Sequence, residues 1–406
     1  CGLPEQAVVH LCAVFQGIVY YYRANQVICR YQIALHDPVD PALLQRALDE
    51  MRPLAGWYFQ KVVWEKREAH LAPNDAPCRV TVGEAAPAIP EATNDYLFSL
   101  HCEGTTIYFD WFHFLADGRG FSPFMTLVLR AYCNLRYGTA FACETLAEDP
   151  PYDPELLLKE FPESQKAGAE QNQPIDIFEG KPDRIRLRLD RASFIEAAAR
   201  EGVKPFTALM GIVCQGCGQY LEKDELLYSF AADLRETMGL PNARYNCIVT
   251  YQLPLKGAAG ARLSAFAKAL DAAIREHLKP ERLRYRLAEQ MGFVCRMFQQ
   301  KAPLKIKQRI FQMGEYLSGS PADFWVSYLG DPFAPRSPEL EAYVEDFQTW
   351  VLPDGASLAM EVTSLHGVLT ACIENKVHRP GLAQALARAF AAEGVTVLET
   401  AELDEQ

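Results

Sequence analysis

One continuous stretch, residues 106–137, constrains the fold more than any other part of the chain. It starts with an apolar, aromatic-rich run, Thr106–Phe112, whose composition predicts a buried strand. It ends with an amphipathic helix predicted over residues 124–137, which stops at a glycine. A strand and a helix joined by a short loop bury their apolar faces against each other, so this stretch predicts a layered α/β fold.

The loop of this stretch carries residues that suit chemistry. His113 directly follows the strand, a position that holds a side chain rigidly, and histidine has an ordinary pKa near neutrality. Asp117 can hold the loop by an ion pair or hydrogen bonds. Gly118 permits a close approach of backbone or ligand. A surface turn rich in Asp and Gly has the same composition, so the rest of the chain must decide between the two interpretations.

The composition limits the class of protein. A length of 406 residues favours two domains, and 49% hydrophobic with 23% charged residues is typical of a globular protein. A net charge of −12 argues against a general nucleic-acid binder. The apolar stretch 7–22 is interrupted by His10 and Gln16, so we expect neither a transmembrane segment nor a signal peptide. These features favour a cytoplasmic protein.

The spacing of the cysteines and histidines predicts no metal site. Twelve cysteines are scattered without a repeating spacing, mostly in apolar segments, which indicates reduced core cysteines. Cys214 and Cys217 are the one close pair, and they lie in a predicted helix with no second pair. His113 has no histidine or cysteine two or four residues away, so we expect no metal.

Strands and helices alternate on both sides of a polar, proline-rich stretch at 149–182. We therefore expect an N-terminal half at 1–150, a crossover linker at 151–182 and a C-terminal half at 183–406. The nearly apolar helix Pro205–Leu221 is predicted to be buried. Strands are predicted at residues 18–23, 27–35, 57–64, 77–82, 96–102, 106–112, 183–189, 225–233, 324–329, 345–351, 358–364 and 368–374. Further helices are predicted from residue 40 and at 192–201, 261–278, 282–300 and 381–393.

Several short segments occur in an order that resembles one family. They read H-F-L-A-D-G at 113–118, G-V-K-P-F-T-A-L at 202–209, A-D-L-R at 232–235 followed by Asn246, V-S-Y-L-G at 326–330 and S-L-H-G-V-L at 364–369. Together they resemble the CoA-dependent acyltransferase superfamily, with its H-x-x-x-D-G motif. That superfamily includes alcohol acetyltransferases, plant BAHD acyltransferases, chloramphenicol acetyltransferase and the condensation domains of non-ribosomal peptide synthetases.

The resemblance implies an α/β fold, an α+β sandwich of two similar chloramphenicol-acetyltransferase-like halves with a central channel. It implies that His113 is the general base of acyl transfer from a thioester. Asp117 would then support the loop through a salt bridge to an arginine, for which Arg235 is the candidate. Gly118 would keep the channel clear beside the ring. Ser327 is a candidate donor to the oxyanion, with an ordinary strand serine as the alternative.

Two departures from the family patterns are informative. Phe112 stands where condensation domains usually carry a second histidine, which favours a stand-alone acyltransferase. Residues 346–350 only partly match the D-F-G-W-G of the plant members, so no role is transferred to them.

Basic residues concentrate between Arg275 and Arg309 although the whole chain is acidic. A donor that carries phosphates, either acyl-CoA or a phosphopantetheine thioester on an acyl carrier protein, needs such a patch. Lys305 and Lys307 are our candidates for donor phosphate contacts, and a solvated helix face is the alternative. The donor is a co-substrate, and we expect no bound cofactor.

The leading hypothesis is an acyltransferase that moves an acyl group from acyl-CoA to the hydroxyl or amine of a small, fairly apolar acceptor. One alternative is a carrier-protein-dependent condensation-type enzyme of natural-product synthesis. Another is a non-catalytic, ligand-binding relative, against which the intact His113, Asp117 and Gly118 argue.

Overall fold

A computed structural model describes residues 27–83, 92–149, 154–166, 181–316, 321–352 and 355–403. Within these ranges the strands form a five-stranded sheet, a seven-stranded sheet and a two-stranded ribbon. The strands are β1 (Ile28–Leu35), β2 (Gln60–Trp64), β3 (Ala69–Pro73), β4 (Val80–Val82), β5 (Phe98–Glu103), β6 (Thr106–Phe112), β7 (Asp183–Asp190), β8 (Glu225–Asp233), β9 (Ile248–Lys256), β10 (Ala322–Gly330), β11 (Val344–Val351), β12 (Ala356–Leu365), β13 (Val368–Asn375) and β14 (Val397–Leu403). The expected α/β class is confirmed.

Helices cover the faces of the sheets. They are α1 (Pro41–Met51), α2 (Gly118–Tyr137), α3 (Pro154–Glu160), α4 (Arg191–Glu201), α5 (Pro205–Leu221), α6 (Arg235–Met238), α7 (Ala267–His277), α8 (Pro280–Gln299), α9 (Leu304–Tyr316) and α10 (Leu382–Ala392). Short 3-10 turns occur at Arg52–Leu54, Gly56–Tyr58, Pro162–Lys166, Leu263–Ala265 and Pro338–Tyr343. In the described ranges, no helix is both long and apolar enough to cross a membrane.

The five-stranded sheet, in the order β11-β1-β6-β5-β4, places the histidine loop. Its strand β6 is buried along its length except for Thr106 at its start. Trp111 on β6 stacks on Phe121 of α2, with ring centroids 4.0 Å apart. The Trp111 indole also donates a hydrogen bond to the carbonyl of Ala116 at 2.9 Å, which ties the loop back to the strand. The predicted strand–loop–helix unit is therefore present.

Helix α2 begins earlier than the sequence predicted, at Gly118 instead of residue 124. The helix includes Pro123 in its second turn, although proline lacks the N–H of a helical hydrogen bond. Asp117 compensates as N-cap, because its carboxylate accepts the N–H of Gly120 at 2.7 Å. Phe121, fully buried in the first turn, adds packing that favours the longer helix.

The seven-stranded sheet has the order β14-β7-β13-β12-β10-β8-β9, and β10 runs parallel to both β12 and β8. Helix α5 packs on it and also contacts α4, α7 and α10. The predicted burial of α5 is confirmed. Cys214 and Cys217 of this helix are both buried free thiols, and burial raises the pKa of each.

The two halves share strands and core residues. Strand β11 comes from the C-terminal part of the chain, yet it pairs antiparallel with β1 at the edge of the five-stranded sheet. Leu287 and Met291 of α8 and Leu304 of α9 belong to the apolar cluster around that same sheet. The five-stranded half is therefore not built from residues 1–150 alone.

Some elements differ from the prediction. Strands β3, β9 and β14 and helices α3, α6 and α9 were not predicted. Helix α7 begins at Ala267 instead of residue 261 because a 3-10 turn precedes it. The strand predicted at 18–23 lies outside the described residues. The remaining predicted elements are present, with ends that move by a few residues.

Candidate active site

A cavity of about 540 Å³ is lined by residues from both large sheets. His113 lines it from the end of β6, while Ser327 of β10 and Glu361 of β12 line it from the seven-stranded sheet. Arg235 and Asn246 line it from the segment that follows β8. The structure thus brings together most of the residues that the sequence singled out.

The backbone and surroundings of His113 fix both its place and its charge. Its backbone N–H donates to the carbonyl of Val27 at 2.9 Å, which holds the residue at the end of the central strand β6. Burial lowers the pKa of the ring below its ordinary 6.5, although Asp117 and a hydrogen bond with the backbone of His113 act in the opposite direction. The imidazole is therefore neutral at pH 7, the form in which a ring nitrogen accepts a proton.

Asn246 contacts the ring and defines which nitrogen is free. Its Nδ2 lies 3.2 Å from Nδ1 of His113, while its Oδ1 is buried without a partner among the described residues. The two ends of an amide have the same shape, and the hydrogen-bond network assigns them. Rotating the amide by half a turn lets Oδ1 accept the Nδ1–H of His113 and removes the unpaired oxygen. The lone pair of the ring then lies on Nε2.

The predicted pair of Asp117 and Arg235 is present. Two guanidinium nitrogens of Arg235 donate to the two carboxylate oxygens of Asp117 at 2.9 and 3.1 Å, a bidentate arrangement. The same carboxylate accepts the N–H of Gly120 at 2.7 Å and that of Cys247 at 2.8 Å. Both charged groups are buried, with relative exposures of 4% for Asp117 and 7% for Arg235.

This ion pair connects three separate segments. Arg235 also donates to the carbonyl of Ala243 at 2.9 Å and to Asp233 at 3.0 Å. With all its oxygens occupied, Asp117 has no free lone pair aimed at His113, and it acts on the ring only through its charge. The carboxylate is therefore structural: it anchors the histidine loop to the segment that carries Asn246.

The glycines of the loop are required by packing. A Cβ on Gly118 would lie 2.9 Å from the Tyr31 hydroxyl and 3.1 Å from Leu329, so the glycine makes room for these two side chains. Gly118 also lines the cavity, so the expectation that it keeps the channel clear beside the ring stays a prediction. The tighter position is Gly120, which the sequence did not single out. A Cβ there would lie 2.2 Å from the carbonyl oxygen of Arg244.

Ser327 has a partner that the sequence did not predict. It pairs in register with Glu361 on the neighbouring parallel strand, and its hydroxyl is hydrogen-bonded to that carboxyl. Burial raises the pKa of Glu361 to about 8, and the Ser327 hydrogen bond only partly opposes this. The hydroxyl of Ser327 has one proton. A hydrogen bond to Glu361 therefore competes with the predicted role of Ser327 as donor to the oxyanion.

The structure places Lys305 and Lys307 on α9, and neither lines the cavity. Lys307 is only 2% exposed, and burial lowers its pKa despite the nearby charge of Glu68. The assignment of Lys307 to a donor phosphate is therefore wrong on the grounds of accessibility. Lys204 and Arg275 line the cavity instead, and within the described ranges no ion pair involves Lys204.

A second buried histidine lies outside the cavity. His101 on β5 is hydrogen-bonded to Asp110 at 2.6 Å, and Arg30 donates to the same carboxylate at 2.8 Å. Burial would raise the pKa of Asp110, but these two hydrogen bonds lower it. The arrangement is a buried charge cluster within the sheet. Across the described residues, no group of three or more His, Cys, Asp or Glu side chains could hold a metal ion.

Comparisons with known proteins show the fold. No family model and no curated protein matches the sequence. TRI101 of F. sporotrichioides, complexed with coenzyme A and T-2, superposes with a TM-score of 0.62 at 12% identity, covering 96% of this chain and 99% of that one. TRI3 trichothecene 15-O-acetyltransferase from Fusarium sporotrichioides gives a TM-score of 0.63 at 12% identity, with 94% of each chain covered.

A condensation domain is equally similar. The first condensation domain of the CDA synthetase gives a TM-score of 0.62 at 15% identity, covering 98% of this chain and 99% of that one. At such identities the likeness shows the fold alone. The resemblance to the acyltransferase and condensation-domain superfamily, with its two similar halves, is confirmed at the level of the fold.

Proposed function

We propose that the protein is an acyltransferase that moves an acyl group from an acyl-CoA thioester to the hydroxyl or amine of a small, fairly apolar acceptor. The observation that carries this proposal is the neutral ring of His113 in a cavity of about 540 Å³, held by Asn246 and by a loop that a buried ion pair anchors. Neighbours of the same fold include a complex with coenzyme A and a 15-O-acetyltransferase.

The reaction is a direct transfer with two proton movements. The acceptor attacks the thioester carbonyl while Nε2 of His113 takes its proton, and a tetrahedral intermediate forms. The intermediate collapses as the carbon–sulfur bond breaks, and the imidazolium returns the proton to the leaving thiolate. General-base assistance of this kind contributes roughly 10²- to 10⁴-fold to the rate. A cavity that aligns donor and acceptor adds the effect of proximity.

The donor phosphates would bind where the cavity carries spare positive charge. Lys204 is exposed and precedes the first turn of α5, and Arg275 of α7 is 57% exposed and paired with Asp271 at 2.5 Å. Arg119, also at the cavity, is paired with Asp233 at 2.8 Å. The lysine is therefore the residue we assign to phosphate, with the two arginines as secondary contacts.

A carrier-bound donor is the second candidate, because a condensation domain shares the fold and the same phosphopantetheine arm carries both kinds of thioester. The kind of donor that the protein uses distinguishes the two candidate functions. We expect the protein to release thiol from free acyl-CoAs, from acetyl to palmitoyl, only when an alcohol or amine is present. If thiol appears only from an acyl carrier protein loaded with the same acyl group, the condensation-type function replaces our proposal. If neither donor reacts, the protein is a ligand-binding relative.

A further inference from the structure

The charged side chains that line the cavity can be matched with their partners. Asp117 and Asp233 pair with Arg235, and Asp271 pairs with Arg275. Glu361 is different: no cationic side chain in the described part of the chain pairs with it or lowers its pKa, and its partner is the neutral hydroxyl of Ser327. Among the described residues, the cavity therefore contains one carboxyl group without a counter-ion.

The groups around Glu361 are neutral as well. On β1, it interacts with Cys29 and Tyr31, whose pKa values are raised well above their ordinary range, first by burial and then by Glu361 itself. On β13, the residue in register is Cys372, a thiol whose pKa burial also raises. Thr349 of β11, which lines the same cavity, is uncharged. These side chains of β1, β13 and β11 are uncharged. The charged residues one step further away are Arg186 of β7, in register with Cys372, and Asp346, and they shift the pKa of Cys372 in opposite directions.

An unpaired carboxylate in such surroundings is costly, because burial removes water and nothing replaces its charge. The group responds by holding its proton: with a pKa of about 8, Glu361 is mostly a neutral acid at pH 7 in the empty cavity. A cation from outside would reverse this, because it supplies the missing charge. The site is therefore suited to a ligand that carries positive charge.

Glu361 and His113 line the same cavity from different elements, Glu361 from β12 and His113 from the loop after β6. An ammonium that stays paired with Glu361 has no lone pair and cannot attack a thioester, so it is not the nucleophile that His113 assists. One ligand engages both residues only if its charged group and its nucleophile are different groups.

We propose that Glu361 and Ser327 form a recognition site for an ammonium group, and that the acceptor is a small molecule with one ammonium group and a separate hydroxyl or amino nucleophile. The assignment of the acceptor rests on the proposed acyltransferase function, whereas ammonium binding at Glu361 does not. On binding, the carboxyl group releases its proton to solvent and the resulting carboxylate pairs with the ammonium. Ser327 keeps its hydrogen bond to the carboxylate.

The binding experiment uses hexylammonium as probe and 1-hexanol as its uncharged counterpart, measured by isothermal titration calorimetry near pH about 7.5, where the amine is charged. We expect the wild type to bind hexylammonium at least about tenfold more tightly than hexanol, as a charge-assisted hydrogen bond requires. Glu361→Gln, which mimics the neutral acid and should fold, is expected to lose that preference. Affinity for hexylammonium should also rise as the pH rises toward the pKa of Glu361.

Two matched variants make the result specific. Asp271→Asn removes a cavity carboxylate that already has an arginine partner, and His113→Ala removes the base; both should bind hexylammonium as the wild type does. Equal binding of the two probes to the wild type, unchanged hexylammonium affinity in Glu361→Gln, or no binding up to millimolar concentration would each overturn the proposal.

Measurements of turnover distinguish the ammonium site from the acyltransferase function, on which the assignment of the acceptor depends. With acetyl-CoA as donor, 6-amino-1-hexanol should have a kcat/KM roughly tenfold above that of 1-hexanol, and Glu361→Gln should abolish the difference. Turnover of both alcohols at equal rates would contradict the acceptor assignment while leaving acyl transfer intact. Glu361-dependent ammonium binding without turnover of any acyl-CoA from acetyl to palmitoyl would refute the acyltransferase function and leave the recognition site standing.

Discussion

At the scale of single residues, the argument depends on the state of His113. With the Asn246 amide turned so that its Oδ1 accepts the Nδ1–H, an imidazole that is neutral at pH 7 has its free lone pair on Nε2 and uses that atom as the base. The sequence indicated the histidine and its aspartate through their spacing, and it also indicated Arg235. It did not indicate the contact with Asn246 or the carboxyl of Glu361, because the former depends on loop geometry and the latter is one of many strand residues.

The direction of the His113 shift gives a pH prediction. Because burial lowers the pKa and the neutral form is the active one, kcat/KM should stay high at neutral pH and fall through a midpoint below 6.5. Asn246→Asp places a negative charge near Nδ1, so it should raise that midpoint by roughly one unit or more. The pH–rate profiles of the two proteins with one acyl-CoA and one acceptor provide the measurement. A wild-type midpoint above 6.5, or an unmoved midpoint in the variant, would contradict the assignment.

At the scale of elements, the strand–loop–helix unit was predictable and the edge strands were not. The apolar run of β6 and the amphipathic helix after it carry strong local signals. Strand β9 contains Pro254, which argues against a strand, yet β9 lies at the edge of its sheet, where a missing N–H is tolerated. Strand β14 is likewise an edge strand with alternating exposure, and its short polar pattern gave no clear signal.

The loop that precedes α2 should not tolerate a side chain at Gly120. Gly120→Ala would place its Cβ 2.2 Å from the Arg244 carbonyl oxygen, so the loop or the Arg244 segment must shift. We expect a loss of about 1–3 kcal/mol in the free energy of unfolding, as overpacking typically costs. Gly260→Ala is the matched control, because nothing lies within 4 Å of its added Cβ. Denaturant unfolding of the two variants tests this, and equal midpoints would refute the packing argument.

The start of α5 should carry the donor contact that the sequence placed on α9. Lys204→Glu reverses a charge at the cavity that has no ion-pair partner in the described ranges, so the KM for acyl-CoA should rise roughly tenfold while the KM for the acceptor stays unchanged. Lys305→Glu makes the same charge change on the exposed surface of α9, away from the cavity lining, and should leave both constants unchanged. A rise in donor KM for Lys305→Glu alone would return the phosphate site to α9.

At the scale of the whole molecule, the cavity exists because the two halves are interlocked. Strand β11 crosses into the five-stranded sheet, and Thr363 of β12 donates to the Phe347 carbonyl of β11 at 3.1 Å. The ion pair between Asp117 and Arg235 adds a second tie between the histidine loop and the segment that follows β8. Neither tie was visible as a local pattern, because strand pairing over more than three hundred residues depends on long-range packing.

The central claim is that His113 is the base of an acyl transfer, and one comparison tests it most directly. Acceptor-dependent thiol release from acyl-CoA would be measured for the wild type, His113→Ala and His36→Ala, the last removing an exposed histidine remote from the cavity lining. The account predicts that His36→Ala matches the wild type and that His113→Ala loses roughly 10²- to 10⁴-fold in rate while remaining folded. Full activity in His113→Ala would contradict the account.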